Sequence, residues 1–196
     1  MRAVIGLGNP GRRYEKTRHN VGFEVLDALA SRHGLRFKRS WRIRADSCRV
    51  GDRDVLLVKP QGYMNRSGEA LVRLRRRAGI APADMLVVVD DVALSPGSVR
   101  VRPHGGAGGH NGLRSVIDEL GTDQFPRLRI GVGANDPGHD RVGHVLGRFA
   151  PAEREAVDRA ICTAVEAVTC VLEESVDAAM NRYNARRLSP EEHRNE

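Results

Sequence analysis

The apolar run MLVVVDD at residues 85–91 sets the strictest limit on the architecture of this chain. Five consecutive apolar residues, three of them valines, predict a strand in the centre of a sheet, because a strand with one solvated face alternates apolar and polar residues. Other strand-like runs alternate with helical periodicity along the chain. We therefore predict an α/β fold: a single three-layer domain, with a mixed twisted sheet and helices on both faces.

The remaining elements are predicted from shorter patterns. Strands are expected at RAVIGLG, RIRADSCRV, DRDVLLVKP, SVRVRPH and RLRIGVG, and helices at about residues 20–34, NRSGEALVRLRRRAG and LRSVIDELG. A last helix is predicted to open at Pro151 and to continue to about Asn181, after a flexible loop at ANDPGHDRVGHV. We assign residues 1–185 to one domain and residues 186–196 to a polar carboxyl-terminal tail.

Arginine dominates the charge of the chain. The formal net charge is +7, and only three of the 32 basic residues are lysines. A basic surface attracts polyanions through their phosphates, and a planar guanidinium can hold one phosphate through two donors. A solvated arginine-rich surface is the alternative. Aromatic residues make up only 4% of the chain, so a platform that stacks RNA bases is not expected.

Cysteine usage and hydropathy narrow the class of protein. Cys48, Cys162 and Cys170 lack C-x-x-C spacing, so we predict reduced, buried thiols, without a metal site or a disulfide, and place the last two on one helix face. No apolar run approaches the roughly 20 residues of a membrane span. The strand pattern begins at once at the amino terminus, so we expect no secretion signal. We therefore expect a cytoplasmic protein.

Gly6, Gly8 and Gly11 have the G-x-G-x-x-G spacing of dinucleotide-binding loops. That motif needs a helix that begins at the third glycine and an acidic residue about 20 residues further on, at the end of a second strand. Here about nine residues separate Gly11 from the helical pattern. Pro10 removes one amide donor, and the nearest acidic candidate, Asp27, falls inside the helix. The context does not fit a dinucleotide site.

Five polar residues are predicted to converge at one edge of the sheet, where the loops after parallel strands meet. They are Asn9, His19, Asn65, Asp90 and Asn111. A neutral imidazole can take a proton from water, a carboxylate can fix its tautomer, and amide groups can hold a carbonyl and its developing oxyanion. The set suits hydrolysis of an ester or amide by water, and a purely structural polar cluster is an equal alternative.

A covalent nucleophile is not indicated, because no serine lies in a G-x-S-x-G turn and the cysteines are remote from these loops. Two strand patterns add a possible anion-binding surface. Arg100 and Arg102 alternate with valines in SVRVRPH, and Arg127 and Arg129 occupy one face of RLRIGVG. Each strand therefore has one covered face and one face that offers two arginines.

The same residues carry a resemblance to a known family. The segments GLGNPGRRYEKTRHNVGF, KPQGYMNRSG, VVVDDVALSPG, GGAGGHNGLRS and RLRIGVG are similar, in order and spacing, to those of the bacterial-type peptidyl-tRNA hydrolases. The resemblance extends from about Ala3 to Asn184. It implies one α/β domain that is monomeric and has no metal or cofactor. It also implies hydrolysis of the ester that joins a peptide to the 3′-terminal ribose of tRNA during translation.

The resemblance also assigns roles to individual residues. His19 corresponds to the general base and Asp90 to the residue that orients it. Amides that position the peptide end, the water and the scissile carbonyl correspond to Asn9, Asn65 and Asn111. Residues that shape the cleft correspond to Tyr14, Asn20 and Met64. Arg102 and Arg129 match basic residues that clamp the 5′-phosphate of tRNA.

The chain departs from the family pattern at four positions. Ala93 stands where an acid is common, Ser95 replaces a usual proline, Gly62 occupies the place of a larger residue, and Ala107 fills a position that is sometimes histidine. These changes bear on loop shape and substrate preference. The alternative within this resemblance is a non-catalytic RNA-binding protein, since some plant organelle relatives act in intron splicing. Such a protein would tolerate loss of the base and amides, all of which are present here.

Overall fold

The computed structural model describes residues 1–51, 54–133 and 140–184. Within these ranges, seven strands form one sheet: β1 (Ala3–Gly6), β2 (Lys38–Ser40), β3 (Ala45–Val50), β4 (Val55–Pro60), β5 (Met85–Asp91), β6 (Val99–Arg102) and β7 (Arg127–Gly131). Their spatial order is β2-β3-β4-β1-β5-β7-β6. The middle strands β4, β1, β5 and β7 are parallel, whereas β2–β3, β3–β4 and β6–β7 pair antiparallel. The predicted mixed sheet is confirmed.

Helices cover both faces of the sheet. The α-helices of the described ranges are α1 (Val21–Arg32), α2 (Ser67–Ala78), α3 (Asn111–Leu120), α4 (Arg141–Leu146), α5 (Pro151–Glu173) and α6 (Val176–Tyr183). One core joins α1, α5 and α6 to sheet residues such as Val4 and Val88, and the other joins α2 and α3 to Ile5 and Val87. The alternation along β1 and β5 thus builds the predicted three layers.

All seven residues of β5 are buried, as its apolar run predicts. β5 lies between β1 and β7, so it forms part of the central parallel group. The carboxyl ends of β1, β4, β5 and β7 share one edge of the sheet. The chain after β1, β4 and β5 therefore leaves the sheet at that edge, where the candidate site forms.

The glycines near the amino terminus let α1 approach the sheet closely. A Cβ atom added to Gly6 would lie 2.3 Å from the carbonyl oxygen of Gly22, and one added to Gly8 would lie 2.7 Å from the ring of Phe23. Gly11 has a φ of +101°, a turn conformation that glycine adopts without steric cost. The glycine spacing therefore serves turn formation and helix–strand packing.

Three predictions of secondary structure need correction. The edge strand β2 was not predicted, because Lys38–Ser40 is a short polar segment that owes its conformation to pairing with β3. The predicted loop at ANDPGHDRVGHV contains α4, capped by the side chain of Asp140; residues 134–139 lie outside the described residues. The predicted last helix is two helices, because Ser175 is extended and its side chain caps α6.

The cysteines also differ in part from the prediction. Cys170 is buried, Cys48 is half-buried and Cys162 is exposed. Eight residues at 100° per residue place Cys162 and Cys170 about 80° apart around the helix, but of the two only Cys170 is buried. No helix of the described part of the chain is long and apolar enough to cross a bilayer. The predicted tail at residues 186–196 lies outside the described residues.

Candidate active site

The pair of His19 and Asp90 lies at the carboxyl edge of the sheet. His19 occupies a single 3₁₀ turn, Arg18–Asn20, immediately before α1, and Asp90 is the sixth residue of β5. The Nδ1 atom of His19 lies 2.8 Å from Oδ1 of Asp90, and both residues are buried. The predicted pairing of an imidazole with a carboxylate is thus present in the structure. A carboxylate on Nδ1 fixes the ring tautomer and directs Nε2 away from the pair.

Sequence reasoning missed a second histidine in this site, His110. Its Nε2 atom lies 2.9 Å from the same oxygen, Asp90 Oδ1, and its ring centroid lies 4.9 Å from that of His19. His110 is the N-cap of α3, and its Nδ1 accepts hydrogen bonds from the backbone N–H groups of Gly112 and Leu113, at 3.0 and 3.1 Å. In the sequence GGHNG, His110 stands just before a predicted helix, where an N-cap residue lies. Histidine is not a usual capping residue, so this position did not single it out.

The capping bonds determine the tautomer of His110. Because Nδ1 accepts two N–H groups, the ring proton lies on Nε2 and is donated to Asp90. A second proton on Nδ1 would break both capping bonds and would lie at the positive end of the α3 dipole. His110 therefore acts as a hydrogen-bond donor that holds the Asp90 carboxylate in place.

Asp90 stays ionised in this setting. Burial opposes the charged form, but the interactions with His110 and His19 outweigh it and hold the pKa of Asp90 well below its usual range. The carboxylate is therefore available to stabilise a positive charge that forms on His19.

His19, Asp90 and His110 each offer an atom to one small region, and these atoms lie within 4.8 Å of one another. Two imidazoles and a carboxylate are a possible donor set for a divalent ion. However, Asp90 Oδ1 already accepts both rings, so an ion that used this oxygen would displace at least one of these hydrogen bonds. The arrangement is self-sufficient as a hydrogen-bonded triad.

The predicted residue Asn9 is held by backbone contacts on two sides. Its Oδ1 accepts the backbone N–H of Met64 at 2.8 Å. Its backbone N–H donates to Oδ1 of Asn20 at 2.8 Å, and Asn20 Nδ2 donates to the carbonyl of Asn9 at 2.9 Å. Asn20 and Met64 therefore fix the loop that carries Asn9, and the hydrogen bonds among the described residues leave its Nδ2 group unused.

The other predicted site residues occupy the rim. Asn111 is the exposed first residue of α3 and lines a cavity of about 80 Å³ together with His19, Asp90, His110 and Arg129. Asn65 is exposed in the 3₁₀ turn Met64–Arg66, after β4. Tyr14 packs edge-on against Tyr63, with ring centroids 6.4 Å apart. Asn65 and Tyr14 do not line the cavity around His19.

Arg18 ties the His19 turn to the segment before α5. Its Nη1 donates to the carbonyl of Arg148 and its Nη2 to Oε2 of Glu153, both at 2.7 Å. The guanidinium also lies over the ring of Phe149, 5.0 Å from its centroid. These contacts anchor the residue next to His19 to an element more than 100 residues further along the chain, which restricts the movement of the turn.

The two strands with a predicted arginine face, β6 and β7, pair with each other, and we call the arginine-bearing face of this pair the arginine ribbon. In the register of β6 and β7, Arg100 lies opposite Arg129, and Arg102 lies opposite Arg127. Opposed residues of an antiparallel pair point to the same side, so all four arginines share one face. The intervening residues of both strands join the core with α5 and α6.

The four arginines differ in how they are engaged. Arg127 is buried and donates to the carbonyl groups of Phe125 and Asp123, and to that of Gly105. Burial lowers the pKa of Arg127 to about 10, which leaves it charged at neutral pH. Arg129 forms an ion pair with Asp91, with 2.7 Å between Nη2 and Oδ2, and lines the cavity beside His19. Arg102 is exposed.

Comparison with known proteins identifies the family of this chain. The family model for peptidyl-tRNA hydrolase matches residues 3–191. A peptidyl-tRNA hydrolase of Rubrobacter xylanophilus is 52% identical over 182 residues, covering 93% of this chain and 99% of that protein. One from Dehalococcoides mccartyi is 47% identical over 189 residues, covering 94% of this chain and all of that protein.

A solved structure supports the same assignment. The crystal structure of peptidyl-tRNA hydrolase from Acinetobacter baumannii superposes with a TM-score of 0.88 at 37% identity, covering 94% of this chain and 95% of that one. The family model, the relatives and the solved structure thus point to one family. This chain belongs to the peptidyl-tRNA hydrolase family.

Proposed function

We propose that this protein hydrolyses the ester between the peptide and the 3′-terminal ribose of peptidyl-tRNA, with His19 as the general base. The observation that carries the proposal is the 2.8 Å contact between His19 Nδ1 and Asp90 Oδ1. It leaves Nε2 unused by the hydrogen bonds of the described residues, at a cavity that His19 itself lines. A nitrogen held in this way can deprotonate a water molecule.

The reaction balances with His19 as the only proton carrier. Nε2 accepts a proton from water as the oxygen of that water attacks the ester carbonyl. Asp90 stabilises the imidazolium that forms. When the tetrahedral intermediate collapses, the bond between the carbonyl carbon and the ribose oxygen breaks. The imidazolium donates its proton to the leaving ribose oxygen, which becomes a hydroxyl, and a free peptide and a free tRNA are released.

We assign the side-chain amides of Asn9, Asn65 and Asn111 to binding of the ester carbonyl and its developing oxyanion. The Nδ2 group of Asn9 is unused in the described hydrogen bonds. Asn65 is exposed next to Met64, and Asn111 is exposed at the cavity that His19 lines. A donor directed at a developing oxyanion contributes about 10²–10³ in rate. Tyr14, Asn20 and Met64 act on the shape of this cleft, and Asn20 and Met64 do so through their bonds to Asn9.

The tRNA is assigned to the arginine ribbon. Arg129 lies at the cavity and Arg102 is exposed on the same face of the sheet. A 5′-phosphate placed there would compete with Asp91 for the guanidinium of Arg129. We assign no phosphate contact to Arg127, because backbone carbonyl groups already occupy its donors. The net charge of +7 favours binding of a polyanion.

The proposed enzyme acts as a monomer in the cytoplasm and uses no metal or cofactor. The direct test of the activity is incubation with N-acetyl-aminoacyl-tRNA and with free aminoacyl-tRNA. We expect release of tRNA from the acetylated substrate, because its blocked amine resembles a peptide bond, and slower release from the free one. If the protein left both substrates intact, the proposed function would be wrong.

A further inference from the structure

The order of the strands divides the edge around His19 into two sides. The arginine ribbon of β6 and β7 lies beyond β5 on one side, and β4 lies beyond β1 on the other. Peptidyl-tRNA is a linear molecule, with the tRNA on one side of the ester and the peptide on the other. If the tRNA lies on the ribbon, as the proposed function requires, the peptide leaves the ester towards the residues that follow β4.

A groove of about 270 Å³ opens at that place. It starts at Pro10, the neighbour of Asn9, and its walls come from the residues after β4 and from the start of α2. The backbone N–H of Gln61 donates to the carbonyl of Arg44 at 2.9 Å, which ties the turn after β2 to the same edge. The residues on which the inference depends are Arg44, Gly62, Tyr63, Arg66 and Glu69.

The groove carries more positive than negative charge. Glu69 lies between two arginines: Arg44 Nη1 is 2.9 Å from its Oε2, and Arg66 Nε is 2.6 Å from its Oε1. The hydrogen bond from Arg66 lowers the pKa of Glu69, so its carboxylate is ionised at neutral pH. Two cations share one anion, and the Nη groups of Arg66 form none of the ion pairs seen among the described residues.

Gly62 keeps the groove wide beside these arginines. A Cβ atom added there would lie 3.3 Å from Cβ of Arg66 and 3.4 Å from its carbonyl oxygen, so any side chain would press on the wall that carries Arg66. The φ of Gly62 is not in the left-handed region, so its backbone conformation does not require glycine. The absence of a side chain at this position therefore leaves space instead of relieving backbone strain.

A second cavity lies on the other side of Pro10, but its lining has four acidic residues and only two basic ones. Lys59 Nζ lies 2.5 Å from Asp27, and Asp46 lies 2.7 Å from Arg39. Glu24 pairs in the same way with an arginine of α5. Of the two cavities beside Pro10, the groove that contains Arg66 is therefore the one with a net positive lining, which could attract an acidic peptide side chain.

We propose that this groove binds the side chain of the residue next to the esterified one, and that Arg44 and Arg66 make it favour an acidic side chain. The inference rests on the proposed function, since it concerns the peptide part of the same substrate. The carboxylate of the substrate would accept from the free Nη groups of Arg66, alongside Glu69. Such partly exposed ion pairs are modest, and we expect about a two- to fivefold preference in kcat/KM.

Two substrates that differ only in charge test the inference. N-acetyl-Glu-Ala-tRNA and N-acetyl-Gln-Ala-tRNA carry the same tRNA and nearly isosteric peptides, so the ratio of their kcat/KM values cancels tRNA binding. We expect the ratio of Glu to Gln to exceed one for the native protein and to decrease as salt is added. A ratio of one, or a preference for an N-acetyl-Lys-Ala substrate, would overturn the inference. No hydrolysis of any of them would instead overturn the proposed function.

Matched variants locate the effect. Arg66→Gln should lower the Glu-to-Gln ratio to one or below, because Glu69 then loses a partner. Arg76→Gln removes the same charge from an exposed position of α2 outside the groove, and should keep the ratio. Gly62→Val should reduce the rate on N-acetyl-Glu-Ala-tRNA relative to N-acetyl-Ala-tRNA. If Arg66→Gln and Arg76→Gln changed the ratio equally, the groove would not be the site of selection.

Discussion

His110 donates its Nε2 proton to Asp90 Oδ1 across 2.9 Å, and this oxygen also accepts the ring of His19. The carboxylate is therefore held from two directions by two imidazole rings. The backbone of α3 fixes the orientation of the outer ring, because two N–H groups occupy its Nδ1 atom. The N-terminus of α3 thus helps to orient His19, because it fixes His110, and His110 holds the Asp90 carboxylate.

Replacement of His110 by asparagine should separate these roles. Asparagine is a good N-cap, so α3 should remain stable, but the bond to Asp90 is lost. A hydrogen bond to a charged group is worth about 1.5–3 kcal/mol, so we expect kcat to decrease about ten- to a hundredfold if it is realised in the transition state. Steady-state kinetics and thermal unfolding check this. A variant with native kcat would show that His19 is positioned without His110.

Asn9→Asp should preserve the loop but impair catalysis. The carboxylate can still accept the backbone N–H of Met64, whereas the Nδ2 donor is lost and a negative charge is introduced near the developing oxyanion. We expect kcat to decrease about 10²–10³-fold with an unchanged melting temperature. Asn9→Ala is the control, since it also removes the bond to Met64 and should lower stability. Equal kcat values for Asn9→Asp and the native enzyme would exclude Nδ2 as a donor to the substrate.

The arginines of the ribbon should divide into two groups. Arg102→Gln and Arg129→Gln should weaken tRNA binding and reduce the slope of log K against log salt by about one each, since each removes a phosphate contact. Arg127→Gln should instead destabilise the fold by about 1–3 kcal/mol, because backbone carbonyl groups lose their charged donor. Filter binding at several salt concentrations and urea unfolding distinguish the groups. An unchanged salt slope in Arg102→Gln or Arg129→Gln would contradict the assignment of that residue to the phosphate.

Asp90 should make the stability of the fold sensitive to acid. The pKa of Asp90 is lower in the folded protein than in the unfolded chain, where it is about 3.9. The carboxylate therefore stabilises the fold at pH values above about 3.9, and this stabilisation is lost as the pH falls from there through the folded-state pKa. We expect the free energy of unfolding to decrease below about pH 4, and to decrease less in Asp90→Asn. Urea unfolding at pH 7, 5 and 3 measures both. Parallel pH curves for the two proteins would contradict the lowered pKa.

Much of this architecture could be predicted because it depends on apolar periodicity. The run in β5 indicated a central strand, and the alternation of arginine with apolar residues indicated one covered face in β6 and β7. β2 could not be predicted, because only pairing with β3 makes its polar residues a strand. The break before α6 was missed because Ser175 is compatible with either a helix or a cap.

The sequence was sufficient to predict which loops form the site, but not the hydrogen bonds that connect their side chains. The expected pair of His19 and Asp90 follows from the strand ends, whereas His110 looked like one polar residue in a glycine loop. Its role arises from tertiary contacts: the N–H groups of α3 on one nitrogen and Asp90 on the other. Arg127 is likewise buried because of a tertiary contact, since its guanidinium donates to the carbonyl group of Gly105 in a distant loop.

The central claim is that His19 is the base that activates water. Single-turnover hydrolysis of N-acetyl-aminoacyl-tRNA by the native protein and by His19→Ala, with tRNA affinity measured in parallel, tests it most directly. We predict a rate about 10²–10⁴-fold lower in His19→Ala and an unchanged dissociation constant for tRNA. A His19→Ala protein that hydrolyses the substrate at the native rate would contradict the mechanism.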